Sequence, residues 1–135
     1  MVIGLGDSCC IMARSVKQKL VARSSTESEL IALDDALCYI LWFRKLLEDL
    51  GFKQLVPTVI WQDNKSTILI ASKGPGHAGK TRHVRNRYYF IKQHVDEGDV
   101  KLNYLPTEEM VSDLLTKPLI GKRFRDLRAK LMGYF

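Results

Sequence analysis

The sequence predicts one α/β or α+β domain, and three features of the 135-residue chain carry that prediction. A long amphipathic stretch predicts a central helix over 24–51, a short β-branched run predicts a buried strand at 58–62, and two β-prone runs predict a hairpin within 1–23. A strand, helix, helix, strand order over 58–105 and C-terminal helices over 107–131 complete this single domain. With 46% hydrophobic residues, the chain has enough apolar surface for one core.

The central helix is predicted by apolar residues that recur every three or four positions. Ser24 with Glu27, and Thr26 with Glu29, have the spacing of a capping box, and Gly51 can end the helix in a left-handed conformation. Glu27 fits a cap or a helix-dipole partner, whereas Glu29 lies at the head of the apolar face. Glu29 is therefore either a second first-turn acid of that kind or an anion turned inward toward a positive group. The predicted apolar stripe is Leu30, Leu33, Leu37, Ile40, Leu41, Leu47 and Leu50.

Downstream, polar and turn-forming residues mark where each element begins and ends. Asp63 or Asn64 can cap a short helix over 65–72 after the buried strand, and glycines with a proline make 73–80 a loop. Thr81 can cap the next helix, which runs to Gly98. The segment 99–105 then alternates like an edge strand. Pro106 stops that strand, Thr107 caps a helix that ends before Pro118, and a basic amphipathic segment over 122–132 follows.

Charge and composition favour a nucleic-acid partner. The formal net charge is +6 and the pI is about 9.3, and the span 64–95 contains no acidic residue. Neither a membrane-length apolar run nor a signal-peptide pattern occurs, so we expect an intracellular protein. Cys9, Cys10 and Cys38 have neither a disulfide framework nor a zinc-site spacing. The cations of the acid-free span are Lys65, Lys73, Lys80, Arg82, Arg85, Arg87 and Lys92.

Three carboxylates stand at element positions from which they could converge. Glu29 is at the start of the central helix, Asp63 follows a buried strand, and Asp113 lies on a predicted helix. Oxygen ligands without His or Cys suit hard cations such as Mg²⁺, and a pair of such ions can drive phosphodiester hydrolysis. Scattered acids on helices are more often solvated, and from spacing alone both interpretations stay open.

Four segments, in order, carry a resemblance that covers residues 2–131. They are KQKLVARSSTESELIAL, VIWQDNKSTILIA, KTRHVRNRYYFIK and LNYLPTEEMVSDLLTKPLIGKRFRDLRAKL. Together they resemble the ribonuclease H region of copia-type retrotransposon polyproteins. The resemblance implies a ribonuclease H-like mixed sheet flanked by helices. It also implies that the second Glu of SSTE-x-E, the Asp of DN-x-S and the Asp of the ADxLTK motif are catalytic metal ligands, which are Glu29, Asp63 and Asp113 here.

What the resemblance implies about function is hydrolysis of the RNA strand of RNA/DNA hybrids with two Mg²⁺ or Mn²⁺ ions. The implied partners are the hybrid and the reverse transcriptase region upstream in the same polyprotein, with no membrane and no small-molecule cofactor. The corresponding locations are the cytoplasm, a virus-like particle or the nucleus. The residues expected to contact nucleic acid are Asn64, Lys65, Ser66, Lys80, Arg82, His83 and Arg85.

One departure from the family pattern concerns its first strand, which carries a further catalytic Asp upstream of the hairpin. This sequence begins after that point, so we expect an N-terminally truncated fold that lacks the usual first strand. The hairpin and the strand at 58–62 would then pair directly, leave a gap, or borrow a strand from another chain. The alternative function is accordingly a catalytically impaired fragment, or a domesticated relic, that binds nucleic acid without cleaving it.

Overall fold

The computed structural model describes residues 1–6, 9–73 and 82–133, and it divides the chain into two compact units. One unit is Lys19–Tyr104, and the other combines Met1–Gln18 with Leu105–Phe135. Helices and strands both occur, which confirms the mixed α/β class, while the single-domain organisation stays a prediction. The regular elements are β1 Val2–Leu5, β2 Cys9–Ala13, α1 Ser25–Asp49, β3 Thr58–Gln62, α2 Lys65–Lys73, α3 Arg82–Asp96, β4 Val100–Tyr104 and α4 Gly121–Leu131.

Backbone groups at both ends of α1 are hydrogen-bonded by the residues that the sequence analysis predicts for this role. At the start, Ser24 Oγ accepts the Glu27 N–H at 3.1 Å, and Glu27 Oε2 accepts the Arg23 N–H at 2.6 Å. At the end, Gly51 has φ 89°, and the following N–H of Phe52 donates back to the Leu47 carbonyl at 2.7 Å. This is a Schellman motif, so the predictions of a Ser24 cap and a Gly51 stop are confirmed.

The core of the Lys19–Tyr104 unit lies where α1 packs against α2 and α3, and where α2 and α3 pack against β4. Leu50, predicted to belong to the buried stripe of α1, is instead 62% exposed. It is the C-cap residue, so helical geometry has ended there and the three-and-four spacing no longer assigns it to the buried face. The buried residues of this unit are Leu30, Ile31, Leu33, Leu37, Ile40, Gln62, Thr67, Ala71, Tyr88, Ile91 and Val100.

Strands β3 and β4 form a two-stranded parallel sheet, with α2 and α3 in the connection between them. Thr58 pairs with Val100 at one end, and Gln62 pairs with Tyr104 at the other. Val59 and Trp61 are 41% and 52% exposed, whereas Gln62 is 7% exposed. The prediction of a buried strand is therefore wrong for these alternate residues. The carboxyl ends of both strands lie at one edge of the sheet, where the chain continues into Asp63.

The hairpin at the start of the chain has the predicted antiparallel pairing, with Val2 opposite Ala13 and Leu5 opposite Cys9. Its second strand is shorter than the β-prone run of the sequence, because β2 ends at Ala13 and the chain has no regular element again until α1. The turn residues 7 and 8 lie outside the described residues. Each of the two sheets contains two strands.

The segment after Pro106 differs from the predicted helix. It forms two short 3₁₀-helices, Thr107–Glu109 and Val111–Leu115, and Thr107 is the first residue of one of them rather than a side-chain cap. Met110 separates them with φ −69° and ψ 104°, an extended conformation that interrupts the helical hydrogen-bond ladder. The extended Met110 divides the segment into pieces of three and five residues, and 3₁₀ turns are common in pieces of that length.

Candidate functional site

Glu29 contacts Gln62, the residue that directly precedes Asp63. The sequence analysis did not select Gln62. Asp63 follows β3 directly, and Glu29 is in the first two turns of α1. Gln62 Nε2 donates to Glu29 Oε2 at 3.4 Å, and both carboxylate-bearing residues are half-buried. The structure thus brings the carboxylate of Glu29 to the buried side chain that directly precedes Asp63. In this contact Glu29 is turned toward a neutral amide donor.

The oxygen atom of the Gln62 amide stabilises the turn after β3. Gln62 Oε1 accepts the backbone N–H of Asp63 at 2.9 Å and that of Asn64 at 3.3 Å. Two N–H donors require the oxygen on their side, which places the NH₂ group on the side of Glu29. A signal for this role exists in the sequence, since the alternation of β3 puts Gln62 on the same face as Thr58 and Ile60.

The residues that follow Asp63 in the chain form the start of α2. Asn64 Oδ1 accepts the N–H groups of Ser66 and Thr67 at 3.0 and 3.2 Å, so Asn64 is the cap of this helix. Lys65 and Ser66 are exposed, and Lys65 Nζ lies 4.7 Å from the centroid of the Tyr104 ring. A cation and a half-exposed aromatic ring therefore flank the edge of the sheet from which Asp63 follows.

Asp113, the third predicted ligand, is 5% exposed and belongs to the 3₁₀-helix Val111–Leu115. Lys117 Nζ and Arg123 Nη2 each lie 2.8 Å from its Oδ2 atom. Two cations of its own unit therefore compensate the charge of this buried carboxylate. Asp113 belongs to a different compact unit from Glu29 and Asp63, so its grouping with them stays a prediction.

The predicted nucleic-acid surface is described only in part. Lys80 lies outside the described residues, and α3 begins at Arg82 with side chains described from Arg85 onward. Arg85 is exposed, as a phosphate-binding residue must be. The predicted contacts of Lys80, Arg82 and His83 therefore stay predictions.

Two other cations of the acid-free span are paired with acids from outside it. Arg87 Nη1 binds the carboxylates of Asp34 and Asp35 on α1, the latter at 3.1 Å. Burial raises the pKa of Asp34, an effect that Arg87 opposes and Asp35 reinforces. Lys92 is paired with Asp96 one helical turn away. The span 64–95 contains no acidic residue, but in the folded chain acidic residues from outside the span lie next to two of its cations.

A further cluster of ionisable groups lies where α3 turns into β4. His94, Glu97 and Asp99 place one ligand atom each within 4.8 Å of one another. His94 Nδ1 lies 2.7 Å from Asp99 Oδ2, and the Asp99 N–H donates to the His94 carbonyl at 3.0 Å. These contacts close the end of α3, with Gly98 at φ 79°, and account for the cluster as a helix-end interaction.

Comparison with known proteins finds relatives over most of the chain. The Retrovirus-related Pol polyprotein from transposon RE1 of Arabidopsis thaliana is 32% identical over 117 residues, which are 87% of this chain and 8% of that protein. The Retrovirus-related Pol polyprotein from transposon TNT 1-94 of Nicotiana tabacum is 33% identical over 120 residues, 89% of this chain and 9% of that protein. The homologues of this chain are retrotransposon Pol polyproteins.

The similarity extends to yeast at lower identity. The Transposon Ty1-NL2 Gag-Pol polyprotein of Saccharomyces cerevisiae is 26% identical over 120 residues, 89% of this chain and 7% of that protein. This chain therefore spans less than a tenth of the Pol polyproteins that it matches. No family model and no solved structure matches it. The predicted retrotransposon polyprotein origin is confirmed at the level of Pol.

The predicted ligands of this Pol-related chain are all carboxylates, which is the ligand type that hard divalent cations prefer. Glu29 and Asp63 are half-buried, the Glu29 carboxylate and the Asp63 backbone N–H contact the same Gln62 amide, and neither His nor Cys is among the predicted ligands. Asp113 also fits by chemistry, provided that a divalent cation takes over the charge compensation supplied by Lys117 and Arg123. In the portion that the structure describes, no helix has the length and apolarity that a membrane span requires.

Proposed function

We propose that this Pol-derived chain is a ribonuclease H-type domain with a ribonuclease H-like fold, acting on the RNA strand of RNA/DNA hybrids. The observation that carries the proposal is that the buried Gln62 amide, at the carboxyl end of β3, contacts both the Glu29 carboxylate and the backbone N–H of Asp63. Those two positions are ones that the family resemblance assigns to metal ligands. The Pol homologues support the proposal because they match over most of the chain.

In this proposal the carboxylates of Glu29, Asp63 and Asp113 hold the ions, and exposed cations bind the hybrid. Two Mg²⁺ or Mn²⁺ ions would supply activation of the attacking water and stabilisation of the leaving oxygen. Lys65 and Arg85 are exposed and would neutralise backbone phosphates, together with Lys80 and Arg82. Asn64 shapes the turn next to Asp63 by capping α2. Ser66 and His83 are the remaining proposed contacts.

The biological setting is part of the same proposal. The hybrid substrate would come from the reverse transcriptase region upstream in the same polyprotein. The proposed location is the cytoplasm, a virus-like particle or the nucleus. A hybrid differs from duplex DNA in its groove shape and its 2′-hydroxyl groups, which are the features that a shape-reading nuclease recognises.

A second candidate function, nucleic-acid binding without cleavage, is favoured by the surroundings of Asp113. Its carboxylate is already bound by Lys117 and Arg123, and a divalent cation must compete with both. Loss of one preorganised electrostatic element typically costs on the order of 10²–10³ in rate, so we expect feeble cleavage if Lys117 and Arg123 keep Asp113 from binding a metal.

The deciding experiment is cleavage of an end-labelled RNA/DNA hybrid in Mg²⁺ or Mn²⁺, by this chain and by one extended with the upstream strand and Asp of a homologous Pol polyprotein. We expect the extended chain to cleave, and Glu29→Gln, Asp63→Asn and Asp113→Asn to lower its rate by about 10²-fold or more. Glu48→Gln is the matched control, because Glu48 is exposed on the same helix as Glu29. Hybrid binding without cleavage by both chains would favour the second function.

A further inference from the structure

We infer that Gln62 is a positioning residue, which holds Glu29 and the Asp63–Asn64 turn in a fixed mutual arrangement. The inference rests on the proposed function and adds to it a residue that carries neither charge nor a predicted role. Gln62 is the last residue of β3 and is 7% exposed. Its amide group contacts one predicted metal ligand through nitrogen and the turn of the other through oxygen.

The three contacts use both lone pairs of the amide oxygen and one N–H of the amide nitrogen. Oε1 accepts the N–H groups of Asp63 and Asn64, and Nε2 reaches Glu29 Oε2 at 3.4 Å. A buried donor without an acceptor lowers the stability of the protein. A side chain that lacks the amide oxygen would leave the N–H groups of Asp63 and Asn64 to hydrogen-bond with water. The turn would then be free to adopt other conformations, and the direction of the Asp63 side chain would vary with it.

An orienting contact of this kind matters most for a carboxylate that binds a metal. Groups that hydrogen-bond to metal ligands fix the direction of the lone pairs, and their removal typically lowers metal affinity about 10- to 100-fold. Gln62 meets this description toward Glu29 directly, and toward Asp63 through the backbone. It is also rigidly placed, because strand pairing with Tyr104 fixes its backbone.

The test compares Gln62→Leu and Gln62→Glu with Gln93→Leu. Gln93 is the matched control, since its Nε2 also donates to a glutamate, Glu97 Oε1 at 2.8 Å, but on an exposed helix face. Mn²⁺ affinity is measured by electron paramagnetic resonance titration of the full chain, and backbone hydrogen exchange at Asp63 and Asn64 is measured without metal. Because no metal is present, the exchange rates report the hydrogen bonding of the Asp63–Asn64 turn and not metal binding.

We expect Gln62→Leu to weaken Mn²⁺ binding about 10-fold or more, and to speed exchange at Asp63 and Asn64 by about tenfold, the size of one lost hydrogen bond. Gln62→Glu keeps an acceptor oxygen, so it should restore slow exchange at both amides. Gln93→Leu should change neither quantity. A chain that merely loses stability would show faster exchange throughout the strand pair, not at these two amides alone.

Two results would overturn the inference in distinguishable ways. If Asp63→Asn weakens Mn²⁺ binding while Gln62→Leu matches the unaltered chain in affinity and in exchange, the positioning role is wrong and the proposed metal site stands. If the unaltered chain and its extended form bind no Mn²⁺, the proposed function fails and the metal-orienting role of Gln62 fails with it.

Discussion

Arg123 Nη2 lies 2.8 Å from Asp113 Oδ2, and the same nitrogen donates to the Thr107 carbonyl oxygen at 2.7 Å. One guanidinium thereby ties α4 to both 3₁₀-helices that precede it. Asp113 is buried, and its own backbone carbonyl also accepts the N–H groups of Thr116 and Lys117. The predicted metal ligand therefore also holds together the 3₁₀-helix Val111–Leu115, the residues after it and α4.

The first prediction concerns Arg123→Leu. Removal of one partner from a buried ion pair costs about 3–5 kcal/mol, and the remaining Lys117 contact should reduce the loss here to about 1–3 kcal/mol. Urea unfolding followed by circular dichroism measures it. Arg125→Leu, at an exposed position of the same helix, should stay within about 0.5 kcal/mol. Equal losses for the two variants would show that the contact with Asp113 contributes nothing specific.

The second prediction concerns Arg44, which joins α1 to the connection that leads into β3. Its Nη1 donates to the Val56 carbonyl and to Thr58 Oγ1, both at 2.9 Å, and its Nη2 donates to the Gln54 carbonyl at 3.2 Å. Lysine has no planar fork and cannot reproduce three such contacts. We expect Arg44→Lys to lower the free energy of unfolding by about 1–2 kcal/mol.

The neighbouring Lys45 supplies the control for that experiment. It is exposed and pairs with Glu48 and Asp49 on the helix surface, an arrangement that contributes little to stability. Lys45→Leu should therefore leave the midpoint of urea unfolding unchanged. A larger loss for Lys45→Leu than for Arg44→Lys would contradict the structural role assigned to Arg44.

Local chemistry explains which parts of the fold the sequence predicts. Ser24, Gly51 and Asn64 act on backbone groups within a few residues, so their capping and stop roles are readable without tertiary information. The break at Met110 is different, because helical periodicity over 107–117 is present while the backbone leaves the helix. Periodicity shows which residues would share a helix face, and it does not show where the backbone leaves helical dihedral angles.

Long-range pairing explains what the sequence misses at the candidate site. The sequence predicts only that Gln62 is a strand residue, and its contact with Glu29 spans 33 positions of the chain. Arg87 reads as part of a basic surface, and its partner Asp34 is 53 positions away. Motifs could select Glu29 and Asp63 because residue type and element position suffice for that. The side chains that orient or neutralise charged groups depend on tertiary packing, which spacing does not specify.

The third prediction is a pH dependence that comes from Asp34. Burial raises its pKa above the ordinary value of 3.8, so the folded chain binds a proton more readily than the unfolded chain does. The stability contributed by this group is therefore fully present below pH 3.8, and it is lost as pH rises through the folded pKa. Asp34→Asn cannot titrate and removes this dependence.

Urea unfolding of the unaltered chain and of Asp34→Asn across about pH 3.5 to 7 measures the effect. The difference in unfolding free energy, unaltered chain minus variant, should fall as pH rises over the lower part of that range. A parallel series with Asp126→Asn, at an exposed position on α4, controls for other carboxylates. A difference that instead grows with pH would show that the attraction of Arg87 outweighs burial at Asp34.

The last prediction separates cations that are exposed from cations that are paired. Each phosphate contact adds about 0.7–0.9 to the slope of log affinity against log salt. Arg85→Ala and Lys65→Ala should each lower the slope for an RNA/DNA hybrid by close to one contact, because both side chains are exposed. Lys92→Ala should leave it unchanged, since Lys92 is paired with Asp96.

Fluorescence anisotropy titrations at several salt concentrations give these slopes directly, whether or not the hybrid is cleaved. The comparison also separates charge from fold, because all three positions lie on helices and all three variants remove one positive charge. If the three variants lower the slope equally, net charge rather than a defined surface governs binding. If none of them changes it, the hybrid binds elsewhere and the proposed contacts of Lys80 and Arg82 fail with those of Lys65 and Arg85.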